Sequence, residues 1–372
     1  MGRRISAILA ADKLLRILAA GKNGASGPRA PADLAQGGRR ILLIKLDHIG
    51  DTLLAFPAIR ALRRAAPRAC LTLLVGSACG ELARRNPDVD GALVYDLRFL
   101  LPRARRGFGQ RFTGLQLLRL GSRLRGAGFD VAIDLSSDTK WETLILTYLS
   151  GAPERVGDDA LGCGGLLTRV VPFSRQVHVA DLLVRKVQAA APEAAAVPGP
   201  PTLALDRADR AAAGALLQRH QLGGARVVAL HPGASDASKA WSVVGFASLA
   251  DELVARYGVQ VVFTGAAEDH ELIERIRKAM QRPGVNLSGA TGLLALAALY
   301  QRCRLVVAVD GGPMHLCAAV GTPLVALFKA EAELERWSPL TPACRVLRTD
   351  LTRLTTVALL EQAGAFIERA LA

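Results

Sequence analysis

Ile41-Leu42-Leu43-Ile44-Lys45-Leu46-Asp47-His48-Ile49-Gly50-Asp51-Thr52 is the stretch that decides the fold. From Ile41 to Leu46 the run is apolar except for Lys45, the pattern of a strand buried on both faces in a parallel sheet. A helix over about Leu53–Arg64 should follow, with strands near Cys70–Val75, Leu93–Leu97 and Val131–Leu135. A Pro/Ala-rich stretch at 188–203 interrupts this pattern, and the alternation then restarts. Strand Val227–Leu230, helix Phe246–Tyr257, strand Gln260–Thr264 and helix His270–Met280 come first. Strand Leu305–Val309, a helix from about Met314 and strand Leu324–Phe328 complete it. Alternating strands and helices predict an α/β chain with doubly wound parallel sheets. Two such domains, expected at 40–195 and 196–372, predict an interdomain cleft.

The chain ahead of them, 1–39, reads as a basic amphipathic helix and a Gly/Ala/Pro-rich tether. Ile5, Ile8, Leu9, Leu15 and Leu18 follow roughly helical spacing among Arg3, Arg4, Lys13 and Arg16. Such a helix suits an anionic membrane surface, or else packs on its own domain. The 372 residues suit about two domains of ~150–200 residues. No run of ~20 apolar residues occurs, so no transmembrane helix is expected. With 47 Lys and Arg against 33 Asp and Glu, the net charge of +14 points to an anionic partner. Aromatics at 5% are too sparse for a base-stacking platform, so nucleic acid is not expected. Only eight of the 47 basic residues are Lys, so each Lys in this Arg-rich chain carries more information than an Arg. Cysteines 70, 79, 163, 303, 317 and 344 form no metal-like cluster, which suits a reducing, cytoplasmic setting.

Three loops follow strands, where open α/β sheets bind ligands. The first is Lys45–Thr52, in which Gly50 permits close backbone approach. Its Asp51 either caps the next helix or accepts a proton from a substrate hydroxyl. The second, His231-Pro232-Gly233-Ala234-Ser235-Asp236-Ala237-Ser238-Lys239-Ala240-Trp241, combines small residues, hydroxyls and a positive charge, as a diphosphate site would. A solvated turn is the plainer alternative. The third is Val309-Asp310-Gly311-Gly312-Pro313-Met314-His315-Leu316, a Gly-Gly turn into a helix N-terminus that suits an anion. There His315 is either a ligand or a packed helix residue. Neither G-x-G-x-x-G nor G-x-x-x-x-G-K-[ST] occurs. Asp88-Val89-Asp90 reads as an exposed turn rather than a metal site. Between Asp96 and Asp130 no acid offsets Arg98, Arg103, Arg105, Arg106, Arg111, Arg119, Arg123 and Arg125, which favours an anionic acceptor.

Taken together, the three loops resemble glycosyltransferase family 9, the bacterial ADP-heptose:lipopolysaccharide heptosyltransferases. The similarity runs over roughly residues 40–345. It is carried by Ile41–Lys45, Gly50-Asp51 and Pro57–Arg63, then by His231–Ala234, Lys239, Trp241 and Phe263-Thr264-Gly265. The strongest match is Val309–Leu316 with Gly321-Thr322-Pro323. The resemblance implies a GT-B fold of two Rossmann-like domains, the donor bound mainly by the second. It also implies inverting, metal-independent transfer of a heptose, without a cofactor, from ADP-heptose to an acidic lipopolysaccharide inner-core or lipid A acceptor.

On the matching positions Asp51 is the catalytic base, and Lys239 neutralises the departing diphosphate. Ser235, Glu268, Asp310, Gly311, Gly312, Pro313 and His315 join Lys239 at the donor. Lys45, Asp47, His48, Arg105, Arg106 and Lys140 face the acceptor. The chain departs from the family pattern at Asp47, His48 and Ser136–Trp141, on the acceptor side. Partners are then a nucleotide-sugar donor, an anionic glycolipid and the cytoplasmic face of the inner membrane, where the enzyme is peripheral. Two alternatives keep the fold: a nucleotide-sugar epimerase, and a non-catalytic module that binds a sugar nucleotide or lipid.

Overall fold

The computed structural model describes residues 38–95, 119–138, 140–162, 164–195, 199–234 and 236–372. The chain divides into two compact units after Pro198. In the first unit the strands are β1 (Arg40–Lys45), β2 (Cys70–Val75), β3 (Gly91–Val94), β4 (Val131–Asp134), β5 (Glu154–Asp158) and β6 (Arg169–Val171). They form one sheet of order β3-β2-β1-β4-β5-β6, parallel throughout. The second unit holds β7 (Val227–His231), β8 (Gln260–Phe263), β9 (Gly284–Asn286), β10 (Leu305–Val309), β11 (Leu324–Lys329) and β12 (Cys344–Thr349). Their order is β12-β11-β10-β7-β8-β9, again parallel throughout.

Counted from each unit's own first strand, the two orders are the same. Both are doubly wound α/β sheets, as the alternation of apolar runs predicts. In each, the winding reverses beside the first strand, between β1 and β4 and between β7 and β10. That reversal opens a crevice at the carboxyl ends of those strands. Helices cover both faces, so the central strands lie wholly in the core: Ile41, Leu42, Leu43 and Ile44 of β1 have no exposed surface. The apolar run in the sequence is the direct cause.

Helix ends are set by local chemistry. Asp206 and Asp209 form a reciprocal capping box on helix Arg207–Arg219. Ser242 Oγ accepts the Gly245 N–H at 3.0 Å to start helix Val243–Tyr257. Gly258, at φ 62°, ends it in the left-handed conformation that glycine adopts without strain.

The structure moves some expected boundaries. The first helix runs Ile49–Ala65, beginning four residues before Leu53, and so takes in Asp51. The third strand is Gly91–Val94, short of the expected Leu93–Leu97. Helices Trp141–Leu149 and Val179–Ala190, and strands β5 and β6, had no counterpart in the sequence reading. Of the segment 1–39, all but residues 38 and 39 lie outside the described residues, as do Arg98, Arg103, Arg105, Arg106, Arg111 and Ser235. Arg119, Arg123 and Arg125 are exposed on the helix at 119–126. Asp88 pairs with Arg60 and Asp90 with Arg63, so both acids of that turn brace helix Ile49–Ala65. Among the described residues no helix is long and apolar enough to cross a membrane. No three His, Cys, Asp or Glu side chains gather there as a metal site.

Candidate active site

In the first unit the charged residues collect where β1 and β4 end. Lys45, the last residue of β1, has no exposed surface, and a buried ammonium must be paired. Its Nζ donates to Asp47 Oδ2 at 2.7 Å and to Ser137 Oγ at 2.5 Å. Asp47 Oδ2 also accepts the Ser137 N–H at 3.0 Å, while Lys140 Nζ holds Asp47 Oδ1. Burial opposes the charge on Asp47, but the two ammoniums outweigh it and hold the carboxyl far below the usual carboxylate range. Lys140 is shifted up: burial disfavours its charge, and Asp47 more than compensates.

Asp51 behaves oppositely. It is half-buried in the first turn of helix Ile49–Ala65, whose N-cap is His48. The capping alternative for Asp51 is therefore not what the structure shows. Burial pushes its carboxyl up, and the charge of Asp47 adds to this; Lys45, a hydrogen bond from Ser137 and His48 pull the other way without cancelling it. Two carboxylates four residues apart thus have their proton affinities driven in opposite directions. Such separation marks acid–base assignments in enzyme sites. The Asp47 carboxyl is driven toward its ionised form and the Asp51 carboxyl toward holding a proton.

Of the residues assigned to the acceptor, Lys45, Asp47 and Lys140 belong to one network, with exposed His48 beside it. Enclosure makes Lys45 and Asp47 internal struts, so among the described residues of this set Lys140 and His48 present surface to a ligand. Sequence reasoning missed Ser137, which touches Lys45, Asp47 and Asp51. It also missed the buried group behind that serine, Asp134, Asp158 and Lys186.

In the second unit the loops after β7 and β10 are tied by Lys239 Nζ to Asp310 Oδ2, 2.6 Å apart and partly exposed. Lys329, at the end of β11, donates to Ser238 Oγ at 3.0 Å. Two ammoniums therefore stand at this crevice where one was expected. Gly311 is extended, and helix Gly312–Ala319 begins beside it with Pro313 in the first turn, where no N–H is lost. His315 is buried on that helix. Glu268 sits exposed in the turn Ala267–Asp269 after β8.

His231, the last residue of β7, is structural. Its Nδ1 lies 3.0 Å from Thr264 Oγ1 and 3.1 Å from Tyr300 OH, which are 3.1 Å from each other. Trp241 is structural too: its indole N–H donates to the Leu354 carbonyl at 2.9 Å, and its ring meets Phe246 edge-on. Gly233 and Gly265 both press on Asp269, where a Cβ on either would overlap the carboxylate. A Cβ at Gly233 would have to displace the Asp269 carboxylate, which accepts the Ala266 N–H at 2.8 Å.

Paired doubly wound units, each gathering charge at the reversal of a parallel sheet, place the chain among two-domain α/β enzymes. The model of glycosyltransferase family 9 (heptosyltransferase) matches residues 117–362; the chain belongs to this family and is a glycosyltransferase. Lipopolysaccharide heptosyltransferase 2 of Salmonella typhimurium is 28% identical over 325 residues, covering 83% of this chain and 88% of that protein. A solved family 9 glycosyltransferase from Veillonella parvula superposes with TM-score 0.78 at 22% identity, over 91% of this chain and 99% of that one. The structure of Escherichia coli ADP-heptose lps heptosyltransferase II gives 0.74 at 24%, over 90% and 100%.

Proposed function

We propose that this enzyme transfers a heptose from ADP-heptose to a sugar hydroxyl of an anionic lipopolysaccharide inner-core acceptor, with inversion and without a metal ion. The observation that carries the reading is the opposed behaviour of Asp47 and Asp51 at the end of β1. The acceptor oxygen attacks the anomeric carbon as the bond from that carbon to the diphosphate breaks. One displacement inverts the centre. Asp51 takes the proton of the attacking hydroxyl, and ADP departs with the electron pair.

The departing charge needs cations and N–H donors. Lys239, Lys329 and the backbone at Gly311 and Gly312 supply them, and Ser235 adds its hydroxyl. Asp310 holds Lys239 in place until the diphosphate competes for it. Glu268 and His315 complete the donor side, while Lys140, His48, Arg105 and Arg106 meet the anionic acceptor. Names of relatives and neighbours, which specify lipopolysaccharide and ADP-heptose, support this choice of substrates. The enzyme works in the cytoplasm against the inner face of the inner membrane.

The test pairs two variants with purified substrates. Asp51→Asn should lower transfer by ~10²–10⁴-fold while leaving ADP affinity intact. Lys239→Ala should weaken ADP binding as well as turnover. Unchanged turnover in Asp51→Asn removes it as the base. Conversion of ADP-heptose to an epimeric sugar nucleotide without acceptor makes the enzyme an epimerase, and binding without any turnover makes it a carrier module.

A further inference from the structure

Behind the Asp47–Asp51 cluster lies a second set of enclosed charges that the proposed chemistry does not use. Lys186, on helix Val179–Ala190, and Asp158, at the end of β5, form an ion pair of 2.6 Å with no exposed side-chain surface. Enclosed pairs of this kind are weak sources of stability, because stripping two ions of water offsets their attraction. Lys186 has a further partner: its Nζ donates to the carbonyl of Ser136 at 2.9 Å. Asp134, at the end of β4, takes the N–H of Ser136 at 2.9 Å and its hydroxyl at 2.6 Å. It also accepts from Thr143 Oγ1 at 3.1 Å. All three polar groups of Ser136 are thereby clamped.

The carbonyl of Ser136 and the N–H of Ser137 belong to one planar peptide group and point in opposite directions. Lys186 holds the carbonyl on one side; Asp47 holds the N–H, at 3.0 Å, on the other. Rotating that plane breaks both bonds at once. The same plane carries the Ser137 side chain, whose Oγ accepts from Lys45 at 2.5 Å and so turns its own proton toward Asp51.

We propose that Lys186 is a positioning residue: paired with Asp158, it locks the Ser136–Ser137 peptide and through it orients Asp47 and the base Asp51. This rests on the reading of Asp51 as the base. A cation on the carbonyl also polarises the peptide, strengthening its N–H toward Asp47. Among the described residues, the charged or titratable groups facing Asp51 are Lys45, Asp47, His48, Lys140 and Cys79, and those facing Lys186 are Asp158 and Asp134.

The decisive variant is the double replacement Lys186→Met with Asp158→Leu in the full chain. It removes the pair without leaving one buried charge alone and without changing net charge, so the fold is expected to persist. The double variant should keep its ADP affinity, lose about 10- to 100-fold in kcat/KM, and show the acid limb of the kcat/KM profile at higher pH. The limb moves that way because a base deprived of the Ser137 hydroxyl holds its proton more tightly. Ser137→Ala, a smaller change, should move the limb in the same direction. A cooperatively folded double variant with unaltered kcat/KM and limb overturns the proposal. Should the double variant not fold, an unmoved limb in Ser137→Ala overturns it equally. Asp51→Asn separates the two ideas: lost transfer alongside unmoved limbs defeats the positioning role alone, and retained transfer defeats the base first and the positioning role with it.

Discussion

His231 shows how enclosure chooses a protonation state. Burial lowers its pKa from 6.5 to about 4, because an imidazolium there would have no water around it. Tyr300, equally enclosed, is pushed far up and keeps its phenolic proton for the triangle with Thr264. The linkage has a definite sign. The unfolded histidine takes up a proton below about pH 6.5, while the folded one resists until about 4. Stability from this residue is therefore full above pH 6.5 and is lost as the pH falls toward 4, on the order of 3 kcal/mol in all. Urea midpoints at pH 7.5 and pH 5 would read this loss. A His231→Gln variant, weaker at neutral pH, should show a flatter dependence between them. An equally steep fall in both proteins would assign the titration to another group.

At the scale of elements, the start of helix Val243–Tyr257 is built around one contact. Gly245 lies so close to the Trp241 ring that a Cβ would overlap its indole atoms. Gly245→Ala gains helix propensity, about 1 kcal/mol, yet overpacking costs typically ~1–3 kcal/mol, so a net loss of stability is expected. Replacing Trp241 with Phe should relieve that penalty, and a double-mutant cycle on urea midpoints measures the coupling. Additive effects would mean the ring is free to move aside.

What was legible in the sequence follows the same division. Apolar runs such as Ile41–Ile44 announce central strands because both faces are buried whatever the rest of the fold does. Rarity makes the lysines informative as a class, and the sequence reading takes in Lys45, Lys140 and Lys239 as site residues. It leaves out Lys186 and Lys329, because their partners, Asp158 with the Ser136 carbonyl for the first and Ser238 for the second, are distant in the chain. Glu154-Arg155-Val156-Gly157-Asp158 carried no such signal as β5, since it is short, charged and held by pairing with β4 and β6. Asp51 could not be told from a cap locally, because the helix start at Ile49 and its partner Ser137 are settled by contacts 86 residues apart in the chain.

For the whole molecule the governing quantity is the excess of 14 positive charges. Fields of that size attract anionic surfaces over long distances, but exposed charges are screened beyond ~10 Å at 0.1 M salt. Partly buried pairs feel much less screening, and Lys239–Asp310 is of that kind. Two salt responses should therefore separate. Association with vesicles containing anionic lipid should be strong at about 0.05 M salt and largely gone by about 0.5 M, while zwitterionic vesicles bind little at either. ADP affinity over the same range should fall less steeply if the diphosphate is held, as proposed, by half-buried groups such as Lys239. Vesicle co-sedimentation and calorimetric ADP titration on the same protein give both curves. Equal binding to both vesicle types, or sedimentation unaffected by salt, would show that apolar insertion rather than charge brings this enzyme to a membrane.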